Sequence, residues 1–371
     1  MPFAVVRSII LLDKEWTRNR DDYLGTRGKV SQISVIVLNW NGKHLLEECL
    51  GSLRRQTFRD FQTILVDNGS TDGSVEYVER RFPEVEIIAL PSNVGFARGT
   101  NVGIQASNGE YVALLNNDTK MDPEWLEALK IALDTHAEVG FCASKMFFHH
   151  RPDIINAAGD VFYSFGVADH RGRGQGDGEL FRRPQYVFGA CAAAAIYRRA
   201  MLEEIGLFDE DFFAYDEDVD LSFRAQLMGY KCLFVPDAII YHHHHGTSRH
   251  QKGMTLHLSR RNCLYVIVKN LPGDLLLKNL LAILLYYLAG DIWYVLNGWG
   301  RGVIKSRLDN IRNLPRMLRK RRTIQARRMV SSGYLASLLT SAAIWKTIRF
   351  NLSQRRDNDF AGTKLDEMTD E

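Results

Sequence analysis

Short apolar runs alternate with amphipathic segments through the first third of the chain, and this alternation restricts the fold more than any other feature. Residues 33–38 (ISVIVL) are mostly apolar and β-branched, which is typical of a strand buried on both faces of a parallel sheet. The apolar residues of the next segment recur at helical spacing: Leu45, Leu46, Cys49, Leu50 and Leu53. The pattern is therefore strand, turn, helix.

The same alternation continues along the chain. Further strands are predicted at 63–66, 85–90 and 111–115, and helices at 74–81 and 97–106. This repetition predicts an α/β fold with a mainly parallel sheet. Ligands bind beyond the carboxyl ends of the strands in such sheets. Polar clusters follow three of these strands, at Asn39-Trp40-Asn41, at residues 67–72 and at Asn116-Asn117-Asp118.

Cysteine spacing and the N-terminal segment bear on the compartment. The five cysteines are scattered without a C-x-x-C pair, so neither a disulfide framework nor a cysteine zinc site is indicated, and a reducing cytosolic compartment is favoured. The apolar run 3–12 is interrupted by Arg7 and lacks a small-residue cleavage site. We therefore expect a short docking helix there and not a signal peptide.

The C-terminal third has a different composition. Residues 275–299 are rich in leucine and aromatic residues, but their longest charge-free stretch, 279–290, has twelve residues, fewer than the roughly 20 that cross a bilayer. Residues 301–356 hold 15 of the 47 Lys and Arg but only one acid, Asp309. An aromatic helix followed by a basic block favours an in-plane or re-entrant membrane helix on an anionic surface. The alternative is a helix buried against the preceding α/β domain.

The basic stretch 316–328 could also be a nucleic-acid patch or a solvated helix face. No nucleic-acid fold motif accompanies it, and we therefore expect no nucleic-acid partner.

An acidic tract and a histidine tract are the remaining chemical signals. Residues 216–220 hold four carboxylates in five positions, and their repulsion requires a metal, an arginine or shifted pKa values. The tract is also compatible with the acidic first turn of a helix over 219–228, with Arg224 pairing to Asp220. Four consecutive histidines occupy 242–245, and imidazole ligates Mn²⁺-class metals.

Four groups of residues in order resemble the family 2 glycosyltransferases of the GT-A fold, and are most similar to the bacterial rhamnosyltransferase-like branch. The groups are SVIVLNWNG at 34–42 with Gln56-Thr57-Phe58; residues 66–73; residues 93–101 with 114–119; and residues 215–224 with Gly229 and 241–248. The resemblance covers about residues 31–270. It implies a Rossmann-like GT-A catalytic domain with a mainly parallel sheet.

The resemblance also implies a metal site, in which Mg²⁺ or Mn²⁺ neutralises the donor diphosphate. Asparagine occupies the first position of the family's D-x-D motif, so Asp118 takes the metal role and Asn117 supports it or the ribose. The alternative for this segment is a simple turn. The family often has one histidine ligand after the later strand, for which His242 is the first choice and His244 the second.

Two further roles follow from the resemblance. Asp218 of the family's E-D motif is expected to be the general base of an inverting displacement. The nucleotide is expected near the first two groups, with a cation beside the donor; the candidate residues are Asn39, Trp40, Asn41, Asp67, Asn68 and Arg98. A plain surface arginine is the alternative for Arg98.

We therefore predict an N-terminal extension at 1–30, a GT-A domain at 31–265 and a helical, basic, membrane-associating region at 266–371. The expected activity is sugar transfer, best matched by L-rhamnose from dTDP-rhamnose, to a polyprenyl-diphosphate-linked glycan at the cytoplasmic face of the membrane. A UDP-hexose or UDP-galactofuranose donor is the alternative. The other classes considered are a nucleotidyltransferase, whose glycine-rich loop is replaced here by residues 39–43, and a catalytically silent carbohydrate-binding scaffold.

Overall fold

The computed structural model describes residues 6–8, 31–243 and 252–340. The strands are β1 Val6–Ser8, β2 Ile33–Asn39, β3 Phe61–Asp67, β4 Glu86–Ala89, β5 Tyr111–Asn116, β6 Thr119–Met121, β7 Val139–Phe148, β8 Arg151–Ala157, β9 Asp160–Tyr163, β10 Val167–His170, β11 Gln185–Val187, β12 Ala194–Arg198, β13 Lys231–His242 and β14 Leu339–Thr340. The helices are α1 Lys43–Arg54, α2 Ser74–Arg81, α3 Phe96–Ala106, α4 Trp125–Thr135, α5 Arg199–Ile205, α6 Glu217–Leu227, α7 Lys252–Asn270, α8 Gly273–Tyr294, α9 Gly300–Ala326 and α10 Ser332–Leu338.

A mixed sheet in the order β1-β4-β3-β2-β5-β12-β7-β13-β11 forms the centre of the protein. The first five strands in this order are parallel, as the alternating sequence predicts. Strand β12 is antiparallel to both of its neighbours, β5 and β7, and β13 returns parallel to β7. The α/β class with a central sheet is thereby confirmed. The predicted docking helix at 3–12 is wrong for residues 6–8, because they pair with β4 as a strand.

Helices cover both faces of the sheet because successive strand side chains point to opposite sides. In β2, Val35 and Val37 face a core shared with α1 and α4. Ile36, between them, faces the opposite core, which includes residues of α3, α5 and α6. Burial on both faces accounts for the uninterrupted apolar run that the sequence shows at this strand.

The C-terminal helices pack on α6 through a third core. Tyr265 and Val266 of α7 are buried together with Val219 and Phe223 of α6. The predicted division at residues 265 and 266 falls inside α7, and the three-part division remains a prediction.

Helices α8 and α9 expose an unusual amount of apolar surface. Leu277, Leu281, Leu284, Leu285, Leu288 and Ile292 of α8 are each more than half exposed and recur at helical spacing. The helical segment Gly273–Ala326 is, by length and composition, the one span of the described residues able to cross a membrane. Non-helical backbone at Asn297 and Gly298 separates α8 from α9. Helix α8 has 22 residues and is therefore longer than the charge-free stretch of twelve residues in the sequence indicates.

Candidate active site

The carboxyl ends of β2, β3 and β5 meet at one edge of the sheet, and their polar side chains form a hydrogen-bonded chain. Asn39 Nδ2 donates to Asp67 Oδ2 at 2.9 Å, and Asn117 Nδ2 donates to Asn39 Oδ1 at 2.7 Å. Ser70 N donates to the other oxygen of Asp67 at 2.8 Å. All three of the side chains Asn39, Asp67 and Asn117 are buried. The structure thus brings together three of the predicted nucleotide-site residues.

Gly42 lets α1 begin directly against this network. A Cβ atom at this position would lie 2.0 Å from Asn117 Nδ2 and 2.7 Å from Asn39 Oδ1. Both separations are well inside van der Waals contact, so any larger residue would displace the two asparagines. The glycine of the sequence Asn39-Trp40-Asn41-Gly42 is therefore required by close packing.

The side chain of Asn68 stabilises the loop 93–95, whereas the sequence analysis expects it to contact the nucleotide. Its Nδ2 donates to Asn93 Oδ1 at 3.1 Å and to the Gly95 carbonyl at 3.2 Å, and its Oδ1 accepts from Val94 N at 2.9 Å. Because these bonds occupy the amide group, Asn68 is positioned to shape the loop 93–95 that leads into α3.

The other nucleotide candidates lie around the same edge. Asn41 has a positive φ of 50°, and its Oδ1 accepts from Thr71 N at 2.8 Å, which joins the first two loops. Trp40 is half-buried beside it. Arg98, on the first turn of α3, lies 3.9 Å from Glu210 and is 39% exposed, so its guanidinium remains accessible from solvent.

Asp118 and His242 come together from β5 and β13. His242 Nε2 lies 3.2 Å from Asp118 Oδ1, and both residues are buried. The other ring nitrogen, Nδ1, lies 3.1 Å from Asn156 Oδ1. In the tautomer that donates from Nδ1 to Asn156 Oδ1, Nε2 has a lone pair available beside the Asp118 carboxylate oxygen. An imidazole nitrogen and a carboxylate oxygen at this separation are a donor set that fits a divalent metal.

The remaining histidines are placed differently. His243 turns to the opposite side, where its Nε2 lies 2.8 Å from Glu48 Oε2. His244, the second predicted ligand, lies outside the described residues. Asn156, in β8, was not anticipated, because a single asparagine within a strand carries no distinguishing sequence signal.

Asp218 lies in the first turn of α6 and is held by backbone amides. Ala192 N donates to its Oδ2 at 3.0 Å and Val219 N to its Oδ1 at 2.8 Å. Burial, followed by the negative charge of Asp160, raises the pKa of Asp218 to about 6. A carboxylate with this pKa is ionised at neutral pH and has enough basicity to accept a proton.

The loop before α6 is strained and is clamped by a residue that sequence reasoning missed. Phe213, Tyr215 and Asp216 all have positive φ angles, between 63° and 72°, a conformation that costs energy for residues other than glycine. Asn262 Nδ2 in α7 donates to the carbonyls of Phe212, Ala214 and Tyr215 at 2.7–3.0 Å. The clamp fixes the chain entering α6, and thereby the direction of the acidic tract.

The other members of the acidic tract have separate surroundings. Burial, followed by the charge of Asp218, raises the pKa of Asp216 to about 7. The same two causes raise the pKa of the buried Glu217 well above its ordinary value. Asp220 accepts from Arg224 Nε at 2.9 Å, the pairing that the sequence predicts, and also contacts Lys269 Nζ at 2.7 Å. Asp220 therefore supports the fold, whereas Asp218 is available for chemistry.

Asp160 and His170 form a pair that the sequence analysis also missed. The pair lies close enough to Asp218 to affect its pKa. His170 Nδ1 is 2.8 Å from Asp160 Oδ1. Burial lowers the pKa of His170, but the adjacent Asp160 outweighs this effect, so the net shift is upward. Both residues belong to the short strands β9 and β10, whose pairing brings residues ten positions apart together.

A short backbone path joins the two halves of the site. Asn116 N, two residues before Asp118, donates to the Ala193 carbonyl at 2.9 Å. Ala192, the preceding residue, donates its N–H to Asp218. The antiparallel pairing of β5 with β12 thus connects the aspartate of the D-x-D-like segment with the aspartate of the acidic tract.

Comparisons with known proteins bear on the family and the fold. Residues 34–206 match the family described as glycosyl transferase family 2. The N-acetylglucosaminyl-diphospho-decaprenol L-rhamnosyltransferase of Mycobacterium tuberculosis is 27% identical over 250 residues, which cover 58% of this chain and 78% of the relative. An uncharacterised glycosyltransferase of Bacillus subtilis is 27% identical over 213 residues, covering 57% of this chain and 74% of the relative.

A solved structure shows the fold. GalNAc-T7 with UDP, GalNAc and Mn²⁺ superposes with a TM-score of 0.53 at 14% identity, covering 72% of this chain and 60% of that chain. At this identity the similarity establishes the GT-A fold alone. The family match includes the four parallel strands β2 to β5. Together, these findings show that the chain is a glycosyltransferase of GT-A fold, with a domain at residues 34–206 that matches glycosyl transferase family 2.

Proposed function

We propose that this glycosyltransferase is an inverting, metal-dependent enzyme that transfers a sugar from a nucleotide-diphosphate donor to a lipid-linked glycan. The observation that carries the proposal is the buried contact between Asp118 Oδ1 and His242 Nε2, at 3.2 Å, beyond the ends of β5 and β13. A carboxylate and an imidazole with its other nitrogen bonded to an amide oxygen form a donor set suited to Mg²⁺ or Mn²⁺. The solved GalNAc-T7 structure holds Mn²⁺ together with UDP, which supports this assignment.

Asp118, His242 and Asp218 have separate roles in the proposed reaction. Asp118 and His242 would hold the cation, which when bound neutralises the charge that develops on the departing nucleoside diphosphate. Asp218 accepts the proton of the acceptor hydroxyl as the oxygen attacks the anomeric carbon from the side opposite the leaving group. A single displacement of this kind inverts the anomeric configuration. The two amides at Ala192 and Val219 keep the Asp218 carboxylate oriented for that transfer.

The donor nucleotide is assigned to the edge formed by β2, β3 and β5. The Asn39–Asp67–Asn117 network offers donors and acceptors beside the half-buried Trp40, a combination suited to a pyrimidine base and ribose. The L-rhamnosyltransferase relative acts, by its name, on N-acetylglucosaminyl-diphospho-decaprenol. On this basis dTDP-rhamnose is the first donor to test and a polyprenyl-diphosphate glycan the first acceptor; a UDP-hexose or UDP-galactofuranose is the alternative donor.

We assign the C-terminal helices to the membrane surface at the cytoplasmic face. Helix α9 also exposes apolar side chains: Ile304, Leu308 and Ile311 are each at least 60% exposed. Exposed arginines of α9, including Arg312 and Arg319, supply positive charge for anionic headgroups. A helix lying in the interface would place the catalytic domain beside a lipid-linked acceptor.

The test is an assay of nucleoside diphosphate release with a panel of nucleotide sugars, an undecaprenyl- or decaprenyl-diphosphate glycan acceptor and Mn²⁺. We expect acceptor-dependent release with one donor, loss of release in EDTA and recovery on adding Mn²⁺ or Mg²⁺. Full activity in EDTA would remove the metal assignment. Binding of glycan with no release from any donor would favour the silent scaffold.

A further inference from the structure

Three side chains that play no part in the proposed transfer converge on the outer side of the sheet edge. Glu48 lies on α1, His149 follows β7 and His243 follows β13. His243 Nε2 is 2.8 Å from Glu48 Oε2, and His149 Nε2 is 3.2 Å from Glu48 Oε1. Three separate segments of the chain therefore direct one ligand atom each toward a common point.

The spacing of these atoms matches that of a metal site. The two imidazole nitrogens and the carboxylate oxygens all lie within 4.8 Å of one another. Donor atoms around a tetrahedral zinc ion are roughly 3.3 Å apart, given metal–ligand distances of about 2.0–2.1 Å. The three groups are therefore close enough to share one ion, and binding would require the two stacked rings to rotate so that both nitrogens point toward it.

The stacking of the two histidines adds a second argument. Their ring centroids are 3.7 Å apart with an angle of 20° between the planes. The two rings therefore lie side by side, with both Nε2 atoms next to the same carboxylate. The side chains of Glu48, His149 and His243 are 32–36% exposed, so an ion can enter from solvent.

We propose that Glu48, His149 and His243 form a second divalent-cation site, separate from Asp118 and His242, that takes zinc with water completing the coordination. A set of two imidazoles and one carboxylate binds zinc in preference to magnesium. Lys120 Nζ, 3.8 Å from Glu48 Oε1, is the competing cation. Its side chain is 43% exposed, so it can turn into solvent when the ion binds.

Zinc at this position would restrict the movement of the backbone next to Asp118 and His242. His243 N donates to the Asp118 carbonyl, and His149 N donates to the His242 carbonyl, both at 2.9 Å. The backbone of both proposed catalytic metal ligands is therefore hydrogen-bonded to the residues of the second site. Fixing His149 and His243 to Glu48 restricts the movement of that backbone without requiring donor or acceptor.

The experiment uses the full chain with the substitution Asp118→Asn, which removes the first site and leaves the second intact. Zinc is titrated against a chromophoric chelator, and the variants His149→Ala and Glu48→Gln are added to the same background. We expect each to weaken zinc binding by at least about tenfold, since even outer-shell changes have effects of that size. His150→Ala is the matched control, because His150 is exposed and lies outside the cluster, and we expect its zinc affinity to be unchanged.

Two further readouts keep the outcome decisive. Zinc should raise the melting temperature of the Asp118→Asn protein and of the His150→Ala control, but not that of the other two variants, whose far-UV circular dichroism without zinc should match the parent. Cobalt(II) should give the visible absorption of a tetrahedral site only where the cluster is intact. Equal zinc affinity in His149→Ala, Glu48→Gln and the parent would overturn the proposal and assign binding to the histidine tract 242–245 alone.

Discussion

At the scale of single residues, Asp218 carries the chemistry of the proposal, and its replacement separates catalysis from binding. Asp218→Asn keeps the size of the side chain but removes the basic carboxylate. Loss of a general base lowers rates by on the order of 10²–10⁴, so we expect kcat to fall in this range while the affinity for the nucleotide donor, measured by calorimetry, changes little. Unchanged turnover would exclude Asp218 as the base.

The pH dependence of the reaction follows from the raised pKa of Asp218. Only the ionised form accepts a proton, so kcat/KM should fall as pH decreases through about 6. Asp160 contributes to the rise through its negative charge. Asp160→Asn removes that charge, which lowers the pKa of Asp218, and the acid limb of the profile should move to lower pH.

The matched control for this shift is Asp153→Asn. Asp153 is an exposed aspartate on the neighbouring strand β8, paired with Arg151. We expect its substitution to leave the acid limb in place. An unchanged limb in Asp160→Asn, or an equal shift in both variants, would contradict the electrostatic coupling of Asp160 to Asp218.

At the scale of secondary-structure elements, the sequence predicts the strands that are defined by local pattern and misses those defined by distant pairing. The helix at 74–81 is reproduced without change, and the predicted strand 33–38 is one residue shorter than β2. The insertion of β12 between β5 and β7 is not visible in the sequence, because it depends on contacts between residues far apart in the chain.

The candidate site follows the same rule. Asp118, His242 and Asp218 were predicted from the resemblance to family 2 glycosyltransferases, whose motifs place them after recognisable strands or at the start of a helix. Asn262 and the Asp160–His170 pair were missed, since each acts through a tertiary contact with a residue more than nine positions away. Asn68 was assigned to the nucleotide, and the structure shows that its amide group is occupied by the loop 93–95.

The exposed face of α8 leads to a prediction about membrane binding. Leu281 and Leu288 lie on the exposed stripe, at 70% and 60% exposure. Transfer of each leucine from water to an apolar phase contributes about 1.5–3 kcal/mol. The double variant Leu281→Glu, Leu288→Glu should therefore lower partitioning onto anionic vesicles by at least about a hundredfold in a co-sedimentation assay.

A matched control is available outside the C-terminal helices. Ile131 of α4 is 56% exposed and lies in the catalytic domain, so Ile131→Glu should leave vesicle binding unchanged. Retention of membrane binding by the α8 variant would place the anchor elsewhere in the chain.

At the scale of the whole molecule, a buried ion network joins the C-terminal helices to the acidic tract. Lys269 of α7, only 1% exposed, contacts Asp209 and, at 2.7 Å, Asp220. Asp209 also pairs with Lys320 of α9 at 2.5 Å, and Asp220 pairs with Arg224 of α6. Positive charges from two C-terminal helices therefore neutralise Asp220 of the acidic tract and Asp209, which precedes it in the chain. We therefore expect the helical region and the catalytic domain to unfold together.

This network predicts that Lys269→Met destabilises the entire protein. The substitution keeps most of the side-chain volume but leaves two buried carboxylates with less compensation, and breaking a buried pair in this way costs about 3–5 kcal/mol. The measurement is urea unfolding followed by far-UV circular dichroism and by donor binding, and we expect both transitions to shift together because α7 packs directly on α6. Lys320→Met, whose side chain is 30% exposed and shares Asp209, should cost much less. An equal loss in both variants would contradict the larger contribution of the buried Lys269. A donor-binding transition that does not move in Lys269→Met would mean that the helical region and the catalytic domain unfold independently.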